Sequence, residues 1–219
     1  MMNVLMLKTI ALTSMIIDHF GAIFQSNIEI YRIIGRIAFP IYCFLLVEGY
    51  SHTSDLRRYA RRLFIFALIS EIPFDLAFYG GLGFNHQNIF FTLFIGLLTI
   101  YLLDKEDNKS ALKAATTVIG AFIIAVVFAV DYNFLGIIYI LLFYKAKKYS
   151  KSKGLFYHAI LMFIMNSLST TWIQQFSLLA LPIIYLYNGK LGPKNKFIQI
   201  TFYAAYPLHL FAFYLLNLI

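Results

Sequence analysis

The chain has 219 residues, of which 61% are hydrophobic and only 13% charged, and its mean hydropathy is +0.75. That balance excludes a soluble domain and points to an all-α, polytopic integral membrane helix bundle. The net charge of +8 at pH 7 invites a nucleic-acid reading, but the bases fall where membrane topology alone would put them, so no nucleic-acid partner is expected.

Breaks in hydrophobicity place spans near residues 4–24, 33–50, 61–79, 88–103, 112–130, 133–144, 155–169, 172–187 and 198–217. This gives about nine transmembrane helices in a single domain over residues 1–219, with no room for a separate soluble domain. The first span leads directly into another apolar segment instead of a small-residue cleavage site, so it is expected to be retained. With the N-terminus cytoplasmic, the loops "SHTSDLRRYARR", "DKEDNKSALK", "KAKKYSKSK" and "NGKLGPKNK" all fall inside. They hold 15 of the 18 Lys and Arg residues, so the positive-inside rule assigns a multi-pass protein of the cytoplasmic membrane in that orientation. The 16 Tyr and 23 Phe suit aromatic belts and lipid-facing packing. Cys43, the single cysteine, lies in an apolar run and reads as a small core residue; no disulfide and no metal site is expected.

Three cations stand outside the loop pattern, Lys8, Arg32 and Arg36, and several ionisable groups lie within spans, where each costs several kcal/mol unless paired or hydrated. The first helix runs outward, so Lys8 is near the cytoplasmic face and Asp18 and His19 lie in the outer half. Lys8 and His19 are eleven residues apart, which returns to within about 20° of one helix face at an axial separation of roughly 16 Å. A groove on that face would suit an elongated substrate entering from the cytoplasm with an acidic head near Lys8. The second helix runs inward, with Arg32 and Arg36 at its outer start and Glu48 at its inner end, where solvation is the preferred reading. In the third helix Glu71 and Asp75 form an i,i+4 pair in the outer half, and Pro73 between them is expected to kink the helix. His86 and Asn88 open the fourth helix from outside, Asp131 caps the outer end of the fifth, and His209 lies in the outer half of the ninth.

Polar groups from six helices thus meet at one depth. Each also has a plainer reading: Lys8 snorkelling to the interface, His19 satisfied by a carbonyl, Arg36 in an ion pair with Glu71 or Asp75, and His209, two residues after Pro207, at a hydrated kink. The chain lacks HExxH, GxSxG, a Gly-rich phosphate loop followed by Lys-Ser/Thr, and a cysteine beside the span histidines. What remains is histidine chemistry, a base poised near neutral pH that can take a proton from an amine or hydroxyl.

The segments "LKTIALTSMIIDHFGAIF", "YRIIGRIAFPIYCFLLVEGY", "RRYARRLFIFALISEIPFDLAF", "HQNIFFTLFIGLL", "DYNFLGIIYILLFY" and "YPLHLFAFYLL" resemble, in order and over nearly the whole chain, the TraX family, named for the conjugation protein that acetylates the N-terminus of pilin. That family is similar in turn to the broader transmembrane acyltransferases (acyltransferase-3-like), whose first helix commonly carries a basic residue eleven positions before a histidine. The resemblance implies an acyltransferase that takes an acetyl group from cytoplasmic acetyl-CoA, as acyl donor, to an amine or hydroxyl on the extracytoplasmic side. The acceptor would be a pilin-like peptide N-terminus, a glycan or a lipid head group.

By position His19 would be the catalytic histidine and Lys8 the counterpart of the family's basic residue, which is Arg in the broader group; Lys lacks the planar bidentate fork of Arg. His19, oriented by Asp18 or another acid such as Glu71, with His209 nearby, would deprotonate the acceptor or carry the acyl group itself. Arg36 would orient a carboxylate or stabilise the oxyanion. The coenzyme A phosphates would fall to Arg57, Arg58, Arg61, Arg62 and Lys8.

Two other classes compete with this reading. A proton-coupled transporter would use Asp18, His19, Glu71 and His209 as a relay, although no internal repeat is visible. A non-catalytic adaptor would leave the charges in the spans unexplained.

Overall fold

The computed structural model describes residues 1–105, 110–147, 151–169, 171–193 and 195–219, without the side chains of 151–153. Of the charges assigned to loops, Glu106, Asp107, Lys109, Lys148 and Lys194 lie outside the described residues. Among the described residues the chain is helical and forms no strand. The helices are α1 (Val4–Phe24), α2 (Glu29–Gly35), α3 (Ala38–His52), α4 (Leu56–Tyr79), α5 (Ile89–Lys105), α6 (Ala111–Val127), α7 (Asn133–Ala146), α8 (Lys151–Asn166), a 3₁₀ segment (Trp172–Leu179) running into α9 (Ala180–Tyr185), and α10 (Lys196–Asn217). All nine expected spans therefore appear as helix, but the second and eighth are interrupted. The α1 helix and the Glu29–His52 stretch are long and apolar enough to cross a membrane.

Both interruptions have a covalent cause. Pro40 has no N–H to donate to the carbonyl of Arg36, four residues back, so the second span breaks at Arg36–Ile37 and restarts with Pro40 in the first turn of α3, where proline is tolerated. Pro182 sits in the same way in the first turn of α9, after the 3₁₀ segment. In α4, by contrast, the helix runs unbroken through Pro73.

The helix starts are fixed locally by side-chain caps. Asn3 Oδ1 accepts the Met6 N–H at 2.9 Å, Asp55 Oδ1 accepts the Arg58 N–H at 2.9 Å, and Asn195 Oδ1 accepts the Phe197 N–H at 2.8 Å. At its other end α4 stops at Gly80, whose φ of +71° is a left-handed cap that glycine adopts without a Cβ penalty.

Packing then sets the depth of the polar residues. α1 lies against α2, α3 and α10, while α4 packs on α10 and α5, and α7 on α3, α5 and α6. α2 approaches α1 so closely that a Cβ on Gly35 would fall 2.1 Å from Asp18 Oδ1, and one on Gly21 would fall 2.3 Å from the Tyr31 Cβ. The core is built from Phe39, Cys43, Leu63, Ala67, Leu97, Tyr139 and Leu210 among others, so Cys43 is the buried packing residue expected. Two backbone bonds, Gln87 N–H to Ala129 O at 3.0 Å and Asp131 N–H to Gln87 O at 2.9 Å, tie the entry to α5 against the α6–α7 turn. They bring His86 and Asp131 to the same end of the bundle as Asp18 and His19.

Candidate active site

Two cavities open at opposite ends of the bundle, named outer and inner by the orientation expected from the loop charges. The outer one, about 510 Å³, is lined by Asp18 and His19 from α1, Arg32 and Arg36 around the α2–α3 break, and His86, Asp131 and Gln174 from connecting segments and the 3₁₀ turn, with aromatic walls from Phe39, Phe78, Tyr79 and Tyr132. The inner one, about 320 Å³, is lined by Lys8, Glu48, His52, Tyr59, Arg62, Phe202 and Tyr203.

His19 does not rest on Asp18. Its Nδ1 lies 2.7 Å from His209 Nε2, and His209 Nδ1 lies 2.8 Å from the carbonyl oxygen of Ala205. A carbonyl can only accept, so His209 carries its hydrogen on Nδ1 and leaves Nε2 as an acceptor. The Nδ1–H of His19 must then donate to it, which leaves the lone pair of neutral His19 on Nε2. The tautomer follows from this chain of bonds. The imidazole is further held edge-on by Phe78, with ring centroids 5.2 Å apart, and by Tyr206 at 5.8 Å. His209 lies behind His19 and is not part of the outer cavity wall.

Asp18 is occupied elsewhere. Its Oδ1 accepts from Arg36 Nη2 at 2.7 Å and its Oδ2 from Arg32 Nη1 at 2.8 Å, with the Asp18 side chain 11% exposed. The expected partnership of Arg36 with Glu71 or Asp75 is thus replaced by one with Asp18. Arg36 also donates to Gln174 Oε1 at 3.3 Å and, through Nε, to the Arg32 carbonyl at 3.2 Å. Gln174 in turn reaches the buried Tyr139–Asn166–Ser177 network, so the clamp is braced from three elements.

The remaining acids are also placed. Glu71 Oε2 accepts from the backbone and side chain of Asn88 and fastens α5 to α4; it does not line the outer cavity, so the expected convergence of Glu71 on His19 is not found. Asp75 accepts the Gly83 N–H at 3.0 Å. Asp131 lies beyond the end of α6, where its Oδ1 accepts the Tyr132 N–H at 3.0 Å. Glu48 is buried instead of solvated, with Lys147 Nζ at 2.8 Å and the Tyr187 hydroxyl at 3.3 Å.

In the inner cavity two cations lack a carboxylate partner among the described residues. Lys8 lies over the Phe202 ring at 5.8 Å, and Arg62 over the Tyr59 ring at 5.7 Å, with its Nε buried and without a hydrogen-bond partner. Arg57, Arg58 and Arg61 are exposed on the first turns of α4 outside this wall, and Arg58 pairs with Asp55 at 3.3 Å. Of the five expected phosphate contacts, Lys8 and Arg62 therefore line the cavity. The second half of the Asp18 clamp, Arg32, was legible only as an unexplained cation four residues from Arg36, and no sequence pattern marks Gln174 or Tyr203.

The family model described as TraX protein matches residues 4–217. The chain is 26% identical over 230 residues to a protein of Dichelobacter nodosus described as probable fimbrial assembly protein FimC, serogroup H1, covering 93% of this chain and 91% of that one. It is 34% identical over 96 residues to the uncharacterized protein RP591 of Rickettsia prowazekii (strain Madrid E), covering 44% of this chain and 36% of that one. No solved structure matches.

Proposed function

The chain belongs to the TraX family, and from that premise we propose that it is a multi-pass acyltransferase of the cytoplasmic membrane, allied to the broader transmembrane acyltransferases. It moves an acetyl group from cytoplasmic acetyl-CoA to an amine or hydroxyl acceptor on the far side. The observation that carries this reading is the pair of opposed cavities: among the described residues, one holds two cations without a carboxylate partner at the base-rich end, and the other a histidine whose Nε2 lone pair is free. Outward apolar side chains such as Leu68, Ile72, Ile123 and Phe163, each more than half exposed, support a lipid-facing surface. The fimbrial-assembly description of the Dichelobacter relative favours a pilin-like peptide N-terminus as acceptor over a glycan or lipid head group.

In the reaction, Lys8 and Arg62 hold the anionic end of the donor. His19 Nε2 takes the proton from the acceptor as its nitrogen or oxygen attacks the thioester carbonyl; the C–S bond then breaks, and the leaving thiolate takes that proton back from His19, which restores the neutral imidazole. His209 fixes the tautomer that leaves Nε2 available. The same lone pair is competent to attack the thioester directly, and rapid-quench trapping of an acyl-histidine separates the two routes. A proton relay through Asp18, His19, Glu71 and His209 has less support, because Asp18 is clamped by two arginines and the His209 proton ends on a carbonyl.

Two measurements test the reading. A reporter fused within residues 145–153 is expected to be cytoplasmic and one after Ile219 extracytoplasmic; the reverse would put the outer cavity on the donor side and overturn transfer across the membrane. Purified protein is expected to bind acetyl-CoA, and Arg62→Glu to weaken that binding by about 10- to 100-fold in a salt-dependent way, since it removes a charge-assisted contact. Arg61→Glu, outside the cavity, changes it far less. Equal effects of the two variants would reduce the arginine run to a topology signal.

A further inference from the structure

The two cavities share one wall. Met15, Tyr42, Ile89 and Tyr206 line both, and three of the four are close to sealed, Met15 and Ile89 at 8% exposure and Tyr206 at 3%. Position on α1 makes Met15 the member that a donor meets. It follows Lys8 by seven residues and precedes His19 by four, spacings that fall on one helix face. Along the axis it stands about 10 Å from Lys8 and about 6 Å from His19. A thioester held by its phosphates at Lys8 and Arg62 therefore brings its acyl end against Met15 before reaching the imidazole.

The wall is hard on one side and soft on the other. Tyr206 is wedged by the rings of Phe90 at 5.2 Å, His209 at 5.6 Å and His19 at 5.8 Å, and its hydroxyl is hydrogen-bonded to the backbone of Ile89. Met15 is an unbranched thioether with three rotatable bonds, the side chain best able to swing aside.

We propose that Met15 is the gauge of acyl-chain length, admitting a two-carbon acyl group past the wall and refusing longer ones. The inference rests on the acyl-transfer reading above. A methyl fits beside the displaced thioether, whereas each added methylene needs volume that Met15 itself fills, and a filled wall between fixed aromatics does not expand without strain.

The test uses the full-length protein in nanodiscs and follows consumption of acetyl-CoA and butyryl-CoA by wild type, Met15→Ala and His19→Ala. Wild type is expected to prefer acetyl-CoA, and Met15→Ala to shift the butyryl-to-acetyl ratio of kcat/KM upward by about tenfold or more, in line with the discrimination available per methylene in a shaped pocket. An unchanged ratio in folded Met15→Ala, with His19-dependent consumption of acetyl-CoA intact, overturns the gauge and leaves acyl transfer standing. Absence of His19-dependent consumption of either donor by wild type overturns both. If Met15→Ala does not accumulate, Met15→Phe reads the wall in the opposite sense. It should cut acetyl transfer about tenfold while acetyl-CoA binding holds, and unchanged transfer would overturn the proposal.

Discussion

His19→Ala is expected to lower acyl transfer by about 100- to 10,000-fold, the range a positioned general base supplies, and to abolish it if the imidazole carries the acyl group. The protein should still accumulate in the membrane. Among the described residues His19 is half-buried with one side-chain hydrogen bond, to His209, so its truncation strands a single acceptor, His209 Nε2, at a cost of about 1–3 kcal/mol. His209→Ala should reduce kcat more than KM, and by less than His19→Ala, because His209 touches no reacting atom and acts by fixing the tautomer. Stopped-flow assays on purified variants against wild type check both. Retention of transfer by His19→Ala would sink the mechanism and return the histidine pair to a structural role.

Asp18→Asn is expected to damage the fold more than the chemistry. The carboxylate neutralises two guanidinium groups at once, and its own side chain and that of Arg36 are 11% and 13% exposed. Asparagine keeps the shape but removes the charge, leaving Arg32 and Arg36 as adjacent unpaired cations. Breaking a buried pair in this way costs about 3–5 kcal/mol, which for a chain of this size lowers the thermal midpoint by about 10 °C. The loss should be seen by thermal unfolding in detergent, with activity falling in step with folded protein. The double variant Asp18→Asn with Arg32→Gln should recover part of it, since one orphaned charge is gone. An unchanged midpoint for Asp18→Asn would show that the clamp contributes nothing to stability.

The sequence by itself determined the positions of the nine helical stretches, because each is a largely apolar run and four of them start at a polar side-chain cap, Asn3, Asp55, Ser110 or Asn195, so helix formation there is a local matter of capping and composition. It determined the likeness to the TraX family, and the placing of Lys8 and His19 on one face of α1, which follows from 3.6 residues per turn. That same geometry explains why the neighbouring acid misled. Adjacent residues on a helix point about 100° apart, so Asp18 and His19 face different elements, and sequence adjacency carries no contact between them.

Only the tertiary structure decided the partners. Arg32 and Arg36 reach Asp18 because Pro40 breaks the second span and Gly35 lets α2 close on α1, while His209 reaches His19 from 190 residues away because α10 lies along α1. Such pairings depend on helix rotation and interaxial distance, which packing across the whole bundle sets and no local stretch of sequence contains. The structure likewise resolved the single groove suggested by Lys8 and His19 into two cavities with a wall at Met15: the spacing of α1 places those residues in line, but what stands between them is supplied by α3, α5 and α10.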